Sequence, residues 1–163
     1  MGTRFRALSV MSLLVLLFVV AAPVRADSPI DVEGHWTYYV FDLEVREEGC
    51  ATFMVTYDLS YWSGGFEAAT IDRGQVGINC SGLATYRAQN YFTGVTIDGK
   101  SGDFVMAVEG RQPVGEIWRG QWEIISASGE LEGMYGSGTW WGPGAGGPFV
   151  WGHLDYAGTV AFD

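Results

Sequence analysis

Histidine and cysteine are scarce in this 163-residue sequence, with two of each. His153 and Asp155 stand two residues apart, so on an extended strand they share a face and could touch one ion. His35 is the only other imidazole, and so thin a ligand set favours a polar outer strand face over a metal centre; no metal or other cofactor is expected. Cys50 and Cys80 are too few for structural zinc. In an exported chain they would close a loop of 31 residues, for which loop entropy predicts a gain of ~3.7 kcal/mol; the alternative is two buried thiols on separate strands. Among the carboxylates, Glu130 and Glu132 flank Leu131 in a turn and Glu47-Glu48 precede a glycine, so both pairs read as solvated turn charges. Glycosidase chemistry needs two carboxyls at a set separation with their pKa values driven apart, which linear spacing does not supply. Glu67 follows Phe66 and alternates with Ala69 and Ile71; facing inward it would be costly unless paired, and therefore functional, whereas the alternative turns it to solvent. Asn90, an amide on an aromatic strand face, is the other weak catalytic candidate. No serine-nucleophile elbow, P-loop or dinucleotide fingerprint is present. The glycine-rich Gly142–Pro148 opens no helix that could cradle a phosphate.

The elements that must position these residues are strands. After residue 30 no stretch keeps a 3.6-residue period, while period-two runs recur. Nine strands are expected: His35–Leu43, Ala51–Ser60, Phe66–Asp72, Gln75–Cys80, Gly82–Thr96, Gly102–Glu109, Glu116–Ser126, Leu131–Trp141 and His153–Phe162. Turns are signalled at Glu48-Gly49, Ser63-Gly64-Gly65, Arg73-Gly74, Asp98-Gly99-Lys100 and Ser128-Gly129, with Gly142–Pro148 as the longest loop. One dry and one wet face per strand is the mark of antiparallel sheet, and this many strands suggests a closed barrel or sandwich.

In Ala51–Ser60 the alternation points Phe53, Val55, Tyr57 and Leu59 inward, against Thr52, Thr56 and Asp58. Over all strands, inward parity gathers Tyr57, Tyr86, Asn90, Phe92, Phe104, Met106, Trp118, Trp122 and Tyr156. An aromatic lumen with a few hydroxyls and one amide suits a small apolar ligand; the alternative is a plain packed core. A second aromatic set, Trp140, Trp141, Phe149 and Trp151, surrounds the Gly/Pro loop and could stack on sugars or a partner, or simply cap one mouth of the barrel.

The first 26 residues read as a secretory signal peptide. Arg4 and Arg6 precede an apolar run from Leu8 to Ala22, and Val24-Arg25-Ala26 supplies small residues at a cleavage site. Cleavage would leave one domain, residues 27–163, and take the basic count from 9 to 6 against 19 carboxylates, a net charge of −13. That balance argues against nucleic acid and against stable membrane association after cleavage, and the leader implies a protein in the periplasm or outside the cell. With aromatics at 15% of the chain, general disorder is excluded.

The stretch Tyr86–Gly94 followed by Asp98-Gly99-Lys100-Ser101-Gly102-Asp103-Phe104-Val105 resembles the bacterial domain-of-unknown-function family 3224. So do Trp122–Ser126 running into Ser128–Gly138, and the closing His153-Leu154-Asp155-Tyr156. Ala107 and Val108 stand where that family often carries a Gln-His pair. The resemblance spans roughly residues 31–163 and implies a small antiparallel barrel like that of allene oxide cyclase, with no established activity and room for a homo-oligomer. Three functions follow as expectations. The first is a barrel that binds a small apolar ligand. The second is a cyclase or isomerase whose lumen needs a buried polar group such as Asn90 or Glu67. The third is a surface-interaction module built on the Trp-rich tip.

Overall fold

The computed structural model describes residues 28–163; the expected leader, residues 1–26, lies outside the described residues. Eight strands follow one another with no intervening helix: β1 (Ile30–Glu48), β2 (Ala51–Gly64), β3 (Ala68–Ile78), β4 (Ala84–Ile97), β5 (Lys100–Gln112), β6 (Trp118–Gly129), β7 (Met134–Gly144) and β8 (Trp151–Phe162). Each pairs antiparallel with the next, and β8 returns to β1, so the sheet closes into a barrel without a free edge.

Local sequence explains most of this path. At the β4–β5 turn Asp98 and Gly99 both have positive φ, 51° and 77°, as a two-residue hairpin of matching twist requires. The expected turn at Arg73-Gly74 is not one: β3 runs unbroken through it, which reduces nine strands to eight. Gly74 faces inward, where a Cβ would sit 2.6 Å from both Thr56 Oγ1 and the Tyr86 ring, so this glycine answers to crowding and not to chain reversal.

Four connections (β1–β2, β3–β4, β5–β6, β7–β8) lie at one end of the barrel. Cys50, at the tip of β1–β2, is joined there to Cys80, just past β3, with Cα atoms 5.0 Å apart. The disulfide selects the bridged alternative and is compatible with an exported protein. Val32, Phe66, Ile97, Leu131, Met134 and Phe162, all buried, fill the opposite end. Between the ends, large indoles lie over glycines of neighbouring strands: a Cβ at Gly138 or Gly158 would collide with Trp122, and one at Gly110 or Gly120 with Trp140.

The expected facing of β2 is reversed. Trp62 is buried and stacks on Trp36 with centroids 4.6 Å apart, and its parity draws Ser60, Asp58 and Thr56 inward. Phe53 and Tyr57 point outward. Arg46 covers the Phe53 ring at 5.3 Å, and the Tyr57 hydroxyl donates to Glu44 at 3.4 Å. On β3 Thr70 and Asp72 are likewise buried, while Ile71, on the outer face with Glu67, is 70% exposed.

Candidate functional site

β2 and β3 carry polar groups into the barrel. Asp58 and Asp72 are direct cross-strand partners, only 3% and 2% exposed. Each sits two residues after a threonine on the same strand face. Thr56 Oγ1 donates to Asp58 Oδ2 at 3.0 Å, and Thr70 Oγ1 to Asp72 Oδ2 at 2.7 Å. Ser60, opposite Thr70, accepts from Trp36 Nε1 at 3.1 Å.

Burial raises both carboxyls from 3.8 to about 6, because an ionised carboxylate is poorly solvated there. The threonine bonds oppose the shift in each. The charge of Asp72 adds to it at Asp58, while Ser60 and Asn90 beside Asp72 favour its charged form. Neither polar atom of Asn90 closes a hydrogen bond of good geometry, however, and Oδ1 of both aspartates is also unpartnered. Unsatisfied buried polar atoms are rare in native interiors, and this many in one cluster marks a site more than a scaffold.

A cavity of about 220 Å³ reaches this cluster from the disulfide end. Thr56, Asp58 and Gln112 are its polar lining; Trp36, Tyr38, Tyr86, Trp118 and Trp140 supply aromatic wall, and Met54, Val76, Ile78 and Ala84 aliphatic wall. The segment after β7 covers part of the mouth. Ala145 and Pro148 line the cavity, and the Ala145 amide donates to the Tyr38 hydroxyl at 2.9 Å. Burial pushes the Tyr38 phenol up and the Tyr86 phenol well up, so both stay neutral donors at physiological pH.

Of the expected lumen residues, Tyr86, Asn90, Phe104, Met106, Trp118, Trp122 and Tyr156 face inward; Tyr57 does not. They do not form one pocket. Phe104, Met106, Trp122 and Tyr156 are packed core, with Tyr156 accepting from the Phe66 amide at 2.8 Å and donating to the Ser63 carbonyl at 3.1 Å. Only Tyr86 and Trp118 of the set reach the cavity. Glu67 takes its outward alternative: it is exposed and accepts from the Gly64 amide at 2.8 Å.

The expected surface tip also divides. Trp140 is 3% exposed and belongs to the lumen, because Gly110 and Gly120 leave room for its indole inside. Trp141 is half-buried, while Phe149 and Trp151 are exposed, Trp151 lying against Tyr39 and Tyr61 at 5.4 and 5.9 Å. Asp155 pairs with His35 Nδ1 across β1–β8 at 2.7 Å, and His153 lies opposite Thr37. Among the described residues no three His, Cys, Asp or Glu side chains converge as metal ligands do.

Asp58, Asp72 and their threonines were absent from the expected site. The legible signal was the repeated Thr-x-Asp, Thr56-Tyr57-Asp58 and Thr70-Ile71-Asp72, in two strands that must pair.

No family model and no curated protein matches the chain. Its fold is similar to the crystal structure of a protein of unknown function from the DUF3224 family of Shewanella oneidensis, with a TM-score of 0.59 and 20% identity, covering 83% of this chain and 98% of that one. What the barrel shares with that structure is its fold, a closed antiparallel all-β sheet.

Proposed function

We propose that this barrel binds a small, mainly apolar molecule in its lumen, outside the cytoplasm and without nucleic acid or a protein cofactor. The observation that carries the reading is the cavity of about 220 Å³, an aromatic and aliphatic enclosure with one polar patch at Asp58. Ligand sites are built this way: apolar walls take up most of the ligand surface and a few polar groups fix its orientation. At this volume the ligand is smaller than a typical drug-sized molecule, whose pockets begin at roughly 300 Å³.

Three tryptophans in the wall report on occupancy directly. Titrating small cyclic alcohols and ketones should give saturable changes in indole fluorescence and a rise in melting temperature. Ala84→Phe, which fills the cavity, should abolish both. Titrations that stay flat across the panel, or saturable responses that Ala84→Phe leaves intact, overturn the reading.

A cyclase or isomerase is the second reading. It is favoured by the depth of Asn90 and by two carboxyls lying near 6, a range suited to passing a proton at neutral pH. The analogy with allene oxide cyclase that the sequence resemblance implies is one of fold, which carries no chemistry by itself. Under this reading Asp58→Asn keeps ligand binding and loses turnover.

A further inference from the structure

The cavity wall is more specific than an apolar lining. Trp36, Tyr38, Tyr86, Trp118 and Trp140 form a connected box, with neighbouring ring centroids 5.7–6.4 Å apart. Polar atoms of three of these rings are engaged by protein. Trp36 Nε1 donates to Ser60 Oγ, Trp140 Nε1 donates to the Gln121 carbonyl, and the Tyr38 hydroxyl accepts from the Ala145 amide. What those three rings offer a ligand is mainly π surface. Asp58 borders the same space, with Oδ2 accepting from Thr56 and Oδ1 buried without a partner, and no Lys, Arg or His lines it.

We propose that the ligand is an organic cation, a short ammonium compound whose charged head sits against Asp58 inside the aromatic box. This rests on the lumen-binding reading above and narrows it. Aromatic faces attract a cation through the ring quadrupole, most strongly where water is excluded, and the carboxylate supplies the counter-charge. A neutral apolar ligand would use the rings but leave Asp58 buried beside it with an unmatched charge or a retained proton. The protein's net charge of −10 adds a long-range field of the right sign for capture.

The test is a matched pair of probes of one shape: choline, and 3,3-dimethylbutan-1-ol, in which carbon replaces the charged nitrogen. Calorimetric titration of the protein at pH 7.5 should show choline binding at least tenfold more tightly than the alcohol. Asp58→Asn should remove that preference and leave alcohol binding nearly unchanged. Trp118→Leu, at a wall position that is only partly buried, should lower choline affinity more than alcohol affinity, and it provides the comparison if Asp58→Asn does not fold. Equal or tighter binding of the alcohol overturns the cation inference and leaves lumen binding standing. Binding of neither probe overturns the cation inference, and the cyclic alcohol and ketone panel then decides lumen binding separately. A choline preference that survives both substitutions places the cation elsewhere and overturns the assignment.

Discussion

Ionisation of the Asp58–Asp72 pair should make this protein lose stability as pH rises, opposite to the usual behaviour of paired carboxylates. Both groups titrate near 3.8 when unfolded and at about 6 when folded. Well below pH 3.8 each is protonated in both states and contributes no pH dependence. Between about 4 and 6 the folded state holds protons that the unfolded state has released, so unfolding free energy falls with pH; above about 6 the full loss is in place. A shift of about two units corresponds to about 3 kcal/mol per carboxyl, and because the value for Asp58 already contains the charge of Asp72, the pair together costs about 3–6 kcal/mol. The perturbation is Asp58→Asn, which keeps shape and removes the titration. Urea unfolding from pH 4.5 to 7.5, followed by intrinsic fluorescence, should show the wild type weakening by several kcal/mol while the variant weakens by about half as much and is the more stable at pH 7.5. Ionisation of exposed carboxylates in so acidic a chain adds a slope of the same sign, but equally in both proteins, so the difference between the curves isolates the buried pair. Parallel curves for wild type and variant would refute the reasoning, as would a wild type that gains stability towards neutrality.

Three further outcomes are expected. Reducing the Cys50–Cys80 disulfide, or replacing both cysteines with alanine, should lower unfolding free energy by about 3–4 kcal/mol in urea titrations, because the 31-residue loop is freed in the unfolded chain. Gly138→Ala should cost about 2 kcal/mol or more in a thermal melt, since its methyl group collides with the Trp122 indole and the Ala157 carbonyl, and adding Trp122→Phe should recover part of the loss. At pH 4.5, where Asp72 is protonated, Asn90→Leu should raise stability by about 1–3 kcal/mol, because it removes two unpartnered buried polar atoms; a loss of stability there would mean that Asn90 is satisfied.

Several features were legible because one physical demand dominated locally. Asp98-Gly99 announces its hairpin because both positions need positive φ. In β5, Phe104, Met106 and Val108 alternate with smaller or polar residues, so only one face can be dry. β2 offered two candidate apolar faces, Phe53-Val55-Tyr57-Leu59 against Met54 and Trp62, and the longer apolar series lost. The decision came from packing across strands, Trp62 on Trp36, which no single-strand pattern contains. Trp140 was misplaced for a related reason. Its position next to a Gly/Pro loop suggested a surface tip, while the glycines that accommodate it, Gly110 and Gly120, belong to other strands. Gly74 was read as a turn because glycine in sequence does not reveal whether it serves a backbone angle or a neighbour's ring.

The indole–glycine contacts make lumen volume a property of residue sets. Trp140 is bound to two strands at once, through Gly110 on β5 and Gly120 on β6, and Trp122 to Gly138 on β7 and Gly158 on β8. Enlarging one of these glycines first creates a clash, whereas shrinking the tryptophan first opens a void that neighbouring side chains can later occupy. The glycines are held twice over, because a Cβ at Gly110, Gly120, Gly138 or Gly158 would also collide with a backbone carbonyl oxygen of the neighbouring strand. A lineage can therefore bore out the binding chamber by shrinking a ring while the glycines and the hydrogen-bond ladder stay fixed, so pocket size can diverge faster than fold.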